Sequence, residues 1–508
     1  MLAKVRGFAL VGLEGIPVDV EVDAGNGLPS YNVVGLADTA VKESKERVRA
    51  AIKNSGGKVP NKKITVNLAP ADVKKEGSAF DLAIAVALLK ASGQLVADTD
   101  GCVFLGELSL DGGLRRIDGI LPILISALKT GYNKFIVPKA NEKEASYLES
   151  AEVYACETLK QAVEHLSGAN ALSACAKREF RDIAKAFSYG SDLSFVRGQA
   201  MAKRALEIAV SGGHNLLFVG PPGTGKTMLA RCIPTIMPDM TFEEALECTK
   251  IHSVAGRLND EDGIVTLRPF RSPHHTATTV ALTGGGNNII RPGEISLAHN
   301  GVLFLDELPE YGRAALEALR QPLEDRVITI SRANGSVTFP ADFILCASMN
   351  PCPCGNLGSA DKICTCSPAQ IAKYRAKLSG PLLDRIDLQV QVDGVKYGEL
   401  VSSEKEETSE EVRGRVNRTR EVQLERFKND DIRTNAAMNE RHIKKYCRLS
   451  AESESVLKSA YESLGLSARA RSRIVKVART IADMAGAAEI GSEHILEAVG
   501  YRSGGADL

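Results

Sequence analysis

The residues with the clearest capacity for chemistry form a glycine-rich run that contains a lysine, GPPGTGKT at 220–227. The run fits the P-loop pattern and stands where that motif requires, after the apolar run NLLFVG and before a helix-forming run. Glycines let backbone N–H groups turn inward around phosphate oxygens, and a helix N-terminus adds partial positive charge. A plain glycine-rich turn is the less favoured alternative. We predict a nucleotide-phosphate site made of Gly220, Pro221, Pro222, Gly223, Thr224, Gly225, Lys226, Thr227 and Met228.

Polar side chains in and after this run indicate how a phosphate would be cleaved. Lys226 is suited to neutralise β- and γ-phosphate oxygens, and Thr227 to ligate Mg²⁺. Further along the chain, the apolar run GVLFL ends in two carboxylates, Asp306 and Glu307. We predict that Asp306 holds Mg²⁺ through water and that Glu307 polarises the attacking water. Acidic strand ends are common, but two buried acids are costly without a cation, which favours the catalytic interpretation.

Asn350 ends another apolar run, FILCASMN at 343–350, and is expected to orient the attacking water. By itself it would be no more than a strand cap. Three apolar runs that end in polar groups need a common scaffold to bring those groups together. Residues 191–395 alternate strand-like and helical runs, which is typical of a parallel sheet flanked by helices. The sequence therefore predicts an α/β core over this range.

Two other regions flank this core. Residues 1–170 mix β-rich runs with a helical run at 79–92 and predict an α+β domain, the runs being 18–22, 63–68 and 102–110. Residues 171–190 lose periodicity and predict a linker. Residues 396–508 carry charged amphipathic helices at 408–427 and 472–488, which predict a helical lid.

Composition limits the classes of function. Lys plus Arg and Asp plus Glu number 63 each among 508 residues, so any nucleic-acid contact must come from local patches. No apolar run approaches the roughly 18 residues of a membrane span, and we expect no membrane partner. With no Trp and 5% aromatics, base stacking is disfavoured, and contacts from Arg and Lys to the backbone are preferred. The odd count of eleven cysteines and the lack of a secretory N-terminus predict a cytoplasmic protein.

Several longer segments carry a family resemblance over nearly the whole chain. They are SYNVVGLADTA (30–40), VRGQ (196–199), RSPHH (271–275), RPGEISLAH (291–299), NPCPCG (350–355), LLDRID (382–387) and KVAR (476–479). With the P-loop, they resemble an AAA+ ATPase of the magnesium-chelatase-like group, specifically the ComM (YifB) family. The resemblance implies a homo-hexameric ring motor that uses ATP and Mg²⁺ on DNA. It further implies helicase and branch-migration activity in recombination during natural transformation, with recombination proteins as further partners.

Two arginines acquire roles through this resemblance. Arg385 in LLDRID matches the position of an arginine finger, which a neighbouring subunit inserts to stabilise charge in the transition state. Arg473 matches the sensor-2 arginine at the start of a lid helix, with Arg469 as the neighbouring alternative. The plain alternative for each is a surface arginine in a weak ion pair.

Two loops are candidates for contact with DNA. The run VITISRANGSVTF at 327–339 alternates around Asn334-Gly335, a strong hairpin signal. It resembles the pre-sensor hairpin of MCM-type ring helicases, in which Arg332 would be the basic tip residue and Asn334 would lie beside it. The glycine-rich loop at 282–288, which contains Gly285, resembles the helix-2 insert of the same clade. An ordinary hairpin and a flexible surface loop remain alternatives.

Four clustered thiols suggest a structural metal site. Cys352, Cys354, Cys364 and Cys366 lie within a Cys-rich insert at 350–367. Zn²⁺ is the metal ion that four clustered thiolates are expected to bind in a reducing compartment. The C-x-C spacing is tighter than usual, and a metal-free loop is the alternative. For His274 and His275, we expect a structural role in a loop near the ring interface rather than metal binding or catalysis.

The N-terminal domain resembles the Lon-type peptidase fold through KEGSA (75–79) and GELSL (106–110). Matching the motifs places Ala79 at the nucleophile and Leu121 at the lysine, so proteolysis is not expected. A one-residue slip would offer Ser78, still without its lysine. We hypothesise a DNA-binding or ring-assembly platform, whose densest basic run is Lys42, Lys45, Arg47 and Arg49; a solvated helix face is the alternative.

Two other functions compete with the DNA motor. A chelatase-type motor would drive metal insertion or remodel a protein partner, but the sequence has no integrin-like domain or acidic linker. A non-enzymatic scaffold conflicts with an intact P-loop and its accompanying polar residues.

Overall fold

Two large β-sheets, one in the N-terminal part of the chain and one in the middle, organise the protein. The structure, a computed structural model, describes residues 1–184, 190–258, 263–286, 290–332, 335–359, 362–395, 398 and 405–503. The first sheet has seven strands and the second has five. This architecture confirms the predicted α/β fold class. The predicted domain boundaries stay predictions. The predicted boundary at 396 lies outside the described residues, as do residues 185–189 near the end of the predicted linker.

The N-terminal sheet is mixed. The strands of this region are β1 (Leu2–Val11), β2 (Glu14–Gly25), β3 (Ser30–Val34), β4 (Lys63–Ala69), β5 (Cys102–Phe104), β6 (Glu107–Leu108), β7 (Leu114–Arg115), β8 (Lys134–Pro138) and β9 (Glu152–Cys156). The sheet order is β3-β4-β2-β1-β5-β8-β9, and β6 pairs with β7 outside it. β1 and β2 form a long antiparallel hairpin. The alternation VDVEV buries Val18, Val20 and Val22 completely, as a half-buried strand requires.

Helices cover this sheet. They are α1 (Thr39–Asn54), α2 (Asp81–Ala91), α3 (Ile120–Lys129), α4 (Glu142–Ala145) and α5 (Leu159–Leu166), with a 3₁₀ turn at Lys139–Asn141. A short helix, α6 (Phe180–Ala184), lies within the predicted linker. The predicted helix at 79–92 is α2, which is apolar on almost every face because it packs between α1 and strands β1 and β2. α1 begins where Asp38 Oδ1 accepts a hydrogen bond from the Val41 N–H at 2.8 Å.

The central sheet is parallel throughout. Its strands are β10 (Leu216–Val219), β11 (Phe270–Arg271), β14 (Val302–Leu305), β17 (Ile344–Met349) and β18 (Leu388–Gln391), in the order β11-β14-β17-β10-β18. β10, β14 and β17 are the predicted apolar runs, and all their residues are buried. Because parallel strands share one carboxyl edge, the P-loop, Asp306 and Asn350 emerge at the same edge of the sheet.

Two short hairpins project from this region, β12 (Gly284–Gly285) with β13 (Arg291–Pro292), and β15 (Val327–Arg332) with β16 (Gly335–Pro340). The second confirms the predicted hairpin, since Arg332 pairs with Gly335 across the turn. Asn334 itself lies outside the described residues, as does 287–289 of the other loop.

Helices flank the central sheet and form the C-terminal region. They are α7 (Ala200–Gly212), α8 (Lys226–Ile236), α9 (Phe242–Val254), α10 (Thr279–Thr283), α11 (Glu294–Leu297), α12 (Arg313–Ala318), α13 (Arg320–Asp325), α14 (Pro368–Arg375), α15 (Gly380–Leu383), α16 (Ser409–Arg426), α17 (Glu440–Tyr446), α18 (Ala451–Leu464), α19 (Ala468–Met484) and α20 (Ser492–Ser503). Short 3₁₀ turns lie at Leu193–Phe195, Leu308–Glu310 and Asn435–Ala437. Among the described residues, no helix is both long and apolar enough to cross a bilayer.

The predicted lid helices are present, with one shifted start. α16 matches the run at 408–427 to within one residue. α19 begins at Ala468 rather than at 472, because Ser467 Oγ accepts a hydrogen bond from the Ala470 N–H at 3.2 Å and caps the helix there. It also ends earlier than predicted, at Met484 rather than at 488. α16 and α19 share one apolar cluster with α7 and α8, which fixes the lid against the central sheet.

The N-terminal domain contacts the central domain directly. Helix α3 packs against α9, and the Gly119 N–H donates to Ser253 Oγ at 3.0 Å. Ser253 Oγ in turn donates to Glu144, which is 2% exposed. At the other end of the contact, the turn between β1 and β2 places Gly12 against Val337 of β16. The two domains are therefore joined by buried polar contacts as well as by packing.

We predict that Glu144 makes stability depend on pH. Burial raises the pKa of Glu144 to about 7, although Ser253, Arg116 and the Leu121 N–H oppose the shift. Between the pKa of Glu144 in the unfolded chain and about pH 7, the folded protein binds more protons than the unfolded chain. The free energy of unfolding therefore falls as pH rises through this window and then levels off. Removing the ionisable group in Glu144→Gln should flatten that decline, which amounts to about 3 kcal/mol.

Urea denaturation at several values between pH 5 and pH 8 measures this effect. The exposed Glu149→Gln serves as the control and should keep the wild-type slope. Parallel curves for wild type and Glu144→Gln would contradict the assignment.

Candidate functional site

The P-loop curls between β10 and α8 in a form that requires its glycines. A Cβ on Gly220 would stand 2.1 Å from the Val392 carbonyl oxygen, so no side chain fits there. Gly225 has φ +87°, a left-handed conformation that glycine adopts at no steric cost, and it leads directly into α8. The loop thus presents backbone N–H groups and a helix N-terminus at the carboxyl edge of the sheet.

The curled P-loop forms a cradle for phosphate, and Lys226 lies at its centre. Its Nζ donates to the carbonyl oxygens of Gly220 and Pro221, each at 2.7 Å, and lies 3.4 Å from Asn350 Oδ1. The residue is 8% exposed. Burial lowers the pKa of the Lys226 ammonium, and Asp306 and Glu307 oppose that shift. The structure therefore brings Gly220, Pro221 and Asn350, three of the predicted site residues, together around the Lys226 ammonium group.

Asp306 is held by two hydroxyl groups. Thr227 Oγ1 donates to Asp306 Oδ2 at 3.0 Å, and Ser348 Oγ donates to Asp306 Oδ1. Ser348 was missed by sequence reasoning; the available signal was its position on β17 two residues before Asn350. A hydroxyl beside a carboxylate is an oxygen-donor set that suits Mg²⁺, so Thr227 and Asp306 fit the predicted role.

Glu307 is more exposed than Lys226 and contacts a histidine. Its backbone adopts φ +53°, uncommon for a residue with a side chain, and the side chain is 55% exposed. His275 Nδ1 lies 3.5 Å from Glu307 Oε2. The sequence predicts a structural role for His274 and His275, whereas the structure places His275 beside the predicted catalytic carboxylate.

The two predicted arginines lie at the opposite edge of the sheet. Asp387 immediately precedes β18, as Asn215 precedes β10, so both lie at the amino-terminal ends of parallel strands. The P-loop follows the carboxyl end of β10, one strand length from Asn215, roughly 13 Å. Arg473 donates to Asp387 Oδ1 at 2.6 Å and to the Arg385 carbonyl oxygen at 3.1 Å. The structure thus brings Arg385 and Arg473 together, but not with the P-loop of their own chain.

Arg385 and Asp387 are both anchored. The Arg385 guanidinium lies 3.0 Å from Glu324 and donates to the Pro381 carbonyl oxygen at 2.7 Å. Burial by itself would raise the pKa of Asp387, but Arg473 and His214 lower it below its ordinary value. The same edge carries a depression of about 580 Å³ lined by Arg469, the alternative to Arg473.

The four predicted thiols converge. The Sγ atom of Cys352 lies 3.4 Å from that of Cys354 and 3.7 Å from that of Cys364, and the four ligand atoms all lie within 4.8 Å of one another. A tetrahedral Zn²⁺ with Zn–S bonds of about 2.3 Å separates its sulfur atoms by about 3.8 Å. Backbone N–H groups of Asn356 and Thr365 lower the pKa of Cys354, which favours a thiolate. The donor set therefore fits zinc.

Comparison with known proteins decides the family. Models described as "Subunit ChlI of Mg-chelatase", "Magnesium chelatase, subunit ChlI" and "Magnesium chelatase, subunit ChlI C-terminal" match residues 20–141, 192–400 and 406–502. The chain is 46% identical over 508 residues to Competence protein ComM of Haemophilus influenzae, covering 99% of this chain and 97% of that protein. It belongs to the ComM family. Escherichia coli YifB, another member, is 44% identical over 507 residues, with the same coverage.

Membership in the ComM family makes the protein a magnesium-chelatase-like AAA+ ATPase. Its N-terminal part is similar to the Archaeal Lon protease of Thermococcus kodakarensis, at 27% identity over 173 residues, 32% of this chain and 27% of that protein. This similarity confirms the predicted Lon-like domain.

The Lon-like domain of this ComM-family chain holds its polar groups in separate contacts. Lys75 is fully buried and donates to the Pro70 carbonyl oxygen, whereas Ser78 Oγ donates to Glu107. The two groups therefore have different partners. Arg47, part of the predicted basic run, is bound to the buried carboxylate of Asp81, with Nε at 2.7 Å from Oδ2.

The two loops predicted to contact DNA are described only in part. Gly285 pairs with Arg291 in the hairpin of β12 and β13, and Arg291 lies 3.3 Å from Asp118 of the N-terminal domain. For Arg332 the structure gives its backbone pairing at the end of β15. Their contacts with DNA stay predictions.

We predict that Lys226→Ala lowers ATP turnover by at least about a hundredfold, because it removes the positive charge from the phosphate cradle. Glu307→Gln should lower turnover by a similar factor while leaving nucleotide affinity nearly unchanged, since the predicted task of this carboxylate is to polarise the attacking water and not to bind phosphate. Steady-state hydrolysis and binding of a fluorescent nucleotide measure the two effects. Lys428→Ala, an exposed charge distant in sequence, is the control; wild-type turnover in Lys226→Ala would refute the site.

Proposed function

We propose that this protein is a cytoplasmic ATP-dependent motor that assembles as a homo-hexameric ring and moves on DNA. In this proposal it drives unwinding or branch migration in homologous recombination during natural transformation. The observation that carries the proposal is the division of the site between two edges of one sheet. The P-loop, Asp306 and Asn350 lie at one edge, and Arg385 and Arg473 at the other.

A divided site is completed when chains associate head to tail. One copy would present its arginine edge to the nucleotide edge of the next, and repetition of such a heterologous contact gives a ring when the rotation between neighbouring copies closes. The alternative, that Arg385 reaches its own P-loop, would require it to leave Glu324 and to cross the length of β18. The separation within one chain thus supports assembly.

The residues at the nucleotide edge have distinct tasks in ATP cleavage. Backbone N–H groups of the P-loop and the Lys226 ammonium hold the β- and γ-phosphate oxygens. Mg²⁺, held by Thr227 and Asp306, would neutralise charge on the same oxygens when bound. Glu307 accepts a proton from the attacking water, and Asn350 orients that water. His275, 3.5 Å from Glu307, is placed to fix the orientation of the carboxylate.

The arginine edge supplies positive charge from the neighbouring chain. Arg385 would stabilise charge that develops on the γ-phosphate, and Arg473 would contact the same nucleotide from the lid helix. Arg473 already spans from α19 to Asp387 beside β18, so a change in its contacts would move the lid relative to the sheet.

Support for DNA as the partner comes from the family and from the hairpins. The relative named a competence protein is similar over nearly the full length of both chains. The hairpin of β15 and β16 leaves the sheet just before β17, which leads to Asn350, and its tip would carry Arg332 and Asn334 to DNA. The loop at Gly285 is the second contact. Backbone contacts of this type give salt-dependent, weakly sequence-selective binding, and recombination proteins are further expected partners.

A second candidate function is a chelatase-type motor that drives metal insertion or remodels a protein partner. The match of residues 192–400 to the model of a magnesium chelatase subunit favours it. A porphyrin or a protein, rather than DNA, would then stimulate hydrolysis.

We also propose a structural Zn²⁺ bound by Cys352, Cys354, Cys364 and Cys366. The supporting observation is the convergence of their sulfur atoms to separations near those of a tetrahedral thiolate site.

We predict that two inactive variants restore each other's ATPase activity. Lys226→Ala removes the ammonium group from the phosphate cradle but keeps Arg385, whereas Arg385→Ala keeps the cradle intact. In an equal mixture, about a quarter of randomly formed contacts would join an intact cradle to an intact arginine. ATPase activity should therefore return to about a quarter of the wild-type rate.

The matched control mixes Arg385→Ala with the double variant Lys226→Ala/Arg385→Ala, which should stay inactive. Light scattering establishes that rings form in each mixture. If the first mixture stays inactive although mixed rings form, Arg385 does not act across the contact.

We predict that Arg332→Ala lowers DNA-stimulated hydrolysis at least about fivefold and leaves basal hydrolysis within about twofold, because phosphate contacts are lost only when DNA is bound. Hydrolysis and branch migration are measured with a four-way junction, linear duplex and a porphyrin. Lys458→Ala, an exposed charge on α18, is the control. Equal losses of basal and stimulated rates would contradict a DNA contact, and stimulation by porphyrin alone would favour the chelatase-type motor.

A further inference from the structure

The four-thiol cluster lies against the nucleotide cradle. Cys352 follows Asn350 by two residues, so the cluster begins where β17 ends at the carboxyl edge of the central sheet. Cys352 is fully buried, and its carbonyl oxygen accepts a hydrogen bond from the Gly355 N–H at 3.0 Å. This turn brings Gly355 back towards the P-loop.

Gly355 makes the contact between the two sites. A Cβ added to it would stand 2.7 Å from Pro222 Cδ and 3.9 Å from Asn350 Cγ. Pro222 belongs to the P-loop, and the Asn350 amide oxygen lies 3.4 Å from Lys226 Nζ. Gly355 therefore lies close to both Pro222 and Asn350, and a side chain at this position would collide with the P-loop.

Regular secondary structure does not hold this segment in place. Between β17 and α14, the described residues contain no helix or strand. The far side of the cluster is the pair Cys364 and Cys366, which leads into α14 through its cap residue Ser367. The Cys354 N–H also lies 3.4 Å from Cys366 Sγ, so the thiols connect the turn at Gly355 to the start of α14.

We propose that the metal-bound thiolate cluster positions the nucleotide cradle. Zn²⁺ on the four thiolates fixes the turn at Gly355, which in turn holds Pro222 and Asn350 where they shape the phosphate site. Loss of the metal releases the turn and weakens nucleotide binding. This inference rests on the proposed zinc site and on the proposed nucleotide site. It assigns Gly355 and the cysteines as positioning residues that act through Pro222 and Asn350.

Two pairs of variants of the full chain test the proposal. Cys364→Ser removes a ligand on the far side of the cluster, and Cys102→Ser, on β5 of the N-terminal domain, is its control. Gly355→Ala keeps all four ligands but places a methyl group against Pro222. Gly358→Ala is the matched control, because it has a similar positive φ, +77° against +80°, with no described residue within 4 Å of the added Cβ.

Three quantities are measured for each protein: zinc per chain by elemental analysis, affinity for a fluorescent ADP analogue, and thermal unfolding. Cys364→Ser should lose zinc and bind the analogue at least about tenfold more weakly. Gly355→Ala should keep zinc yet also bind at least about tenfold more weakly, while both controls stay within about twofold of wild type.

The failures are distinguishable. Zinc-free wild-type protein would remove the zinc site and this proposal together, whereas DNA-stimulated hydrolysis by that protein would leave the motor function standing. Loss of zinc without loss of affinity in Cys364→Ser would overturn the positioning role alone. Equal affinities in Gly355→Ala and Gly358→Ala, with both proteins folded, would also overturn it.

Discussion

Parallel pairing of β14, β17 and β10 is the constraint on which the rest of the structure depends. Register between these strands sets Val219, Met349 and Leu305 near one edge of the sheet, so the residues that follow them meet. Each strand is fully buried, and a buried strand must pair every backbone group it contains. Alternate residues of these strands pack in two different apolar clusters, so a shift of one residue would exchange the side chains that fit each cluster, and the polar groups at the strand ends inherit a fixed position.

The opposite edge is fixed by a buried charge rather than by backbone register alone. Asp387 accepts hydrogen bonds from the Asn215 N–H at 2.9 Å and from Arg473 at 2.6 Å. A carboxylate that is 4% exposed is tolerated because these partners compensate for its lost hydration. Through this residue, the first turns of the lid helix α19 are connected to the sheet.

The remaining parts are attached to the edges of this core. The N-terminal domain contacts α9 through Ser253 and the hairpin of β15 and β16 through Gly12. The cysteine-rich segment contacts the P-loop through Gly355. Both attachments include a glycine where a side chain would collide, so close backbone approach helps to determine where these parts meet the core.

The sequence by itself determined the local elements and the chemistry of individual residues. The P-loop, the run ending at Asp306 and the run ending at Asn350 could be predicted because apolar period and glycine spacing are local properties. The family resemblance supplied Arg385 and Arg473, which no local pattern distinguishes from surface arginines. Only the tertiary structure decided that these arginines lie at the edge away from their own P-loop, that Ser348 holds Asp306, that His275 stands beside Glu307 and that Gly355 supports Pro222. These relations join residues distant in sequence or set by turn geometry, and a distance between side chains across a sheet has no signature in the order of residues along the chain.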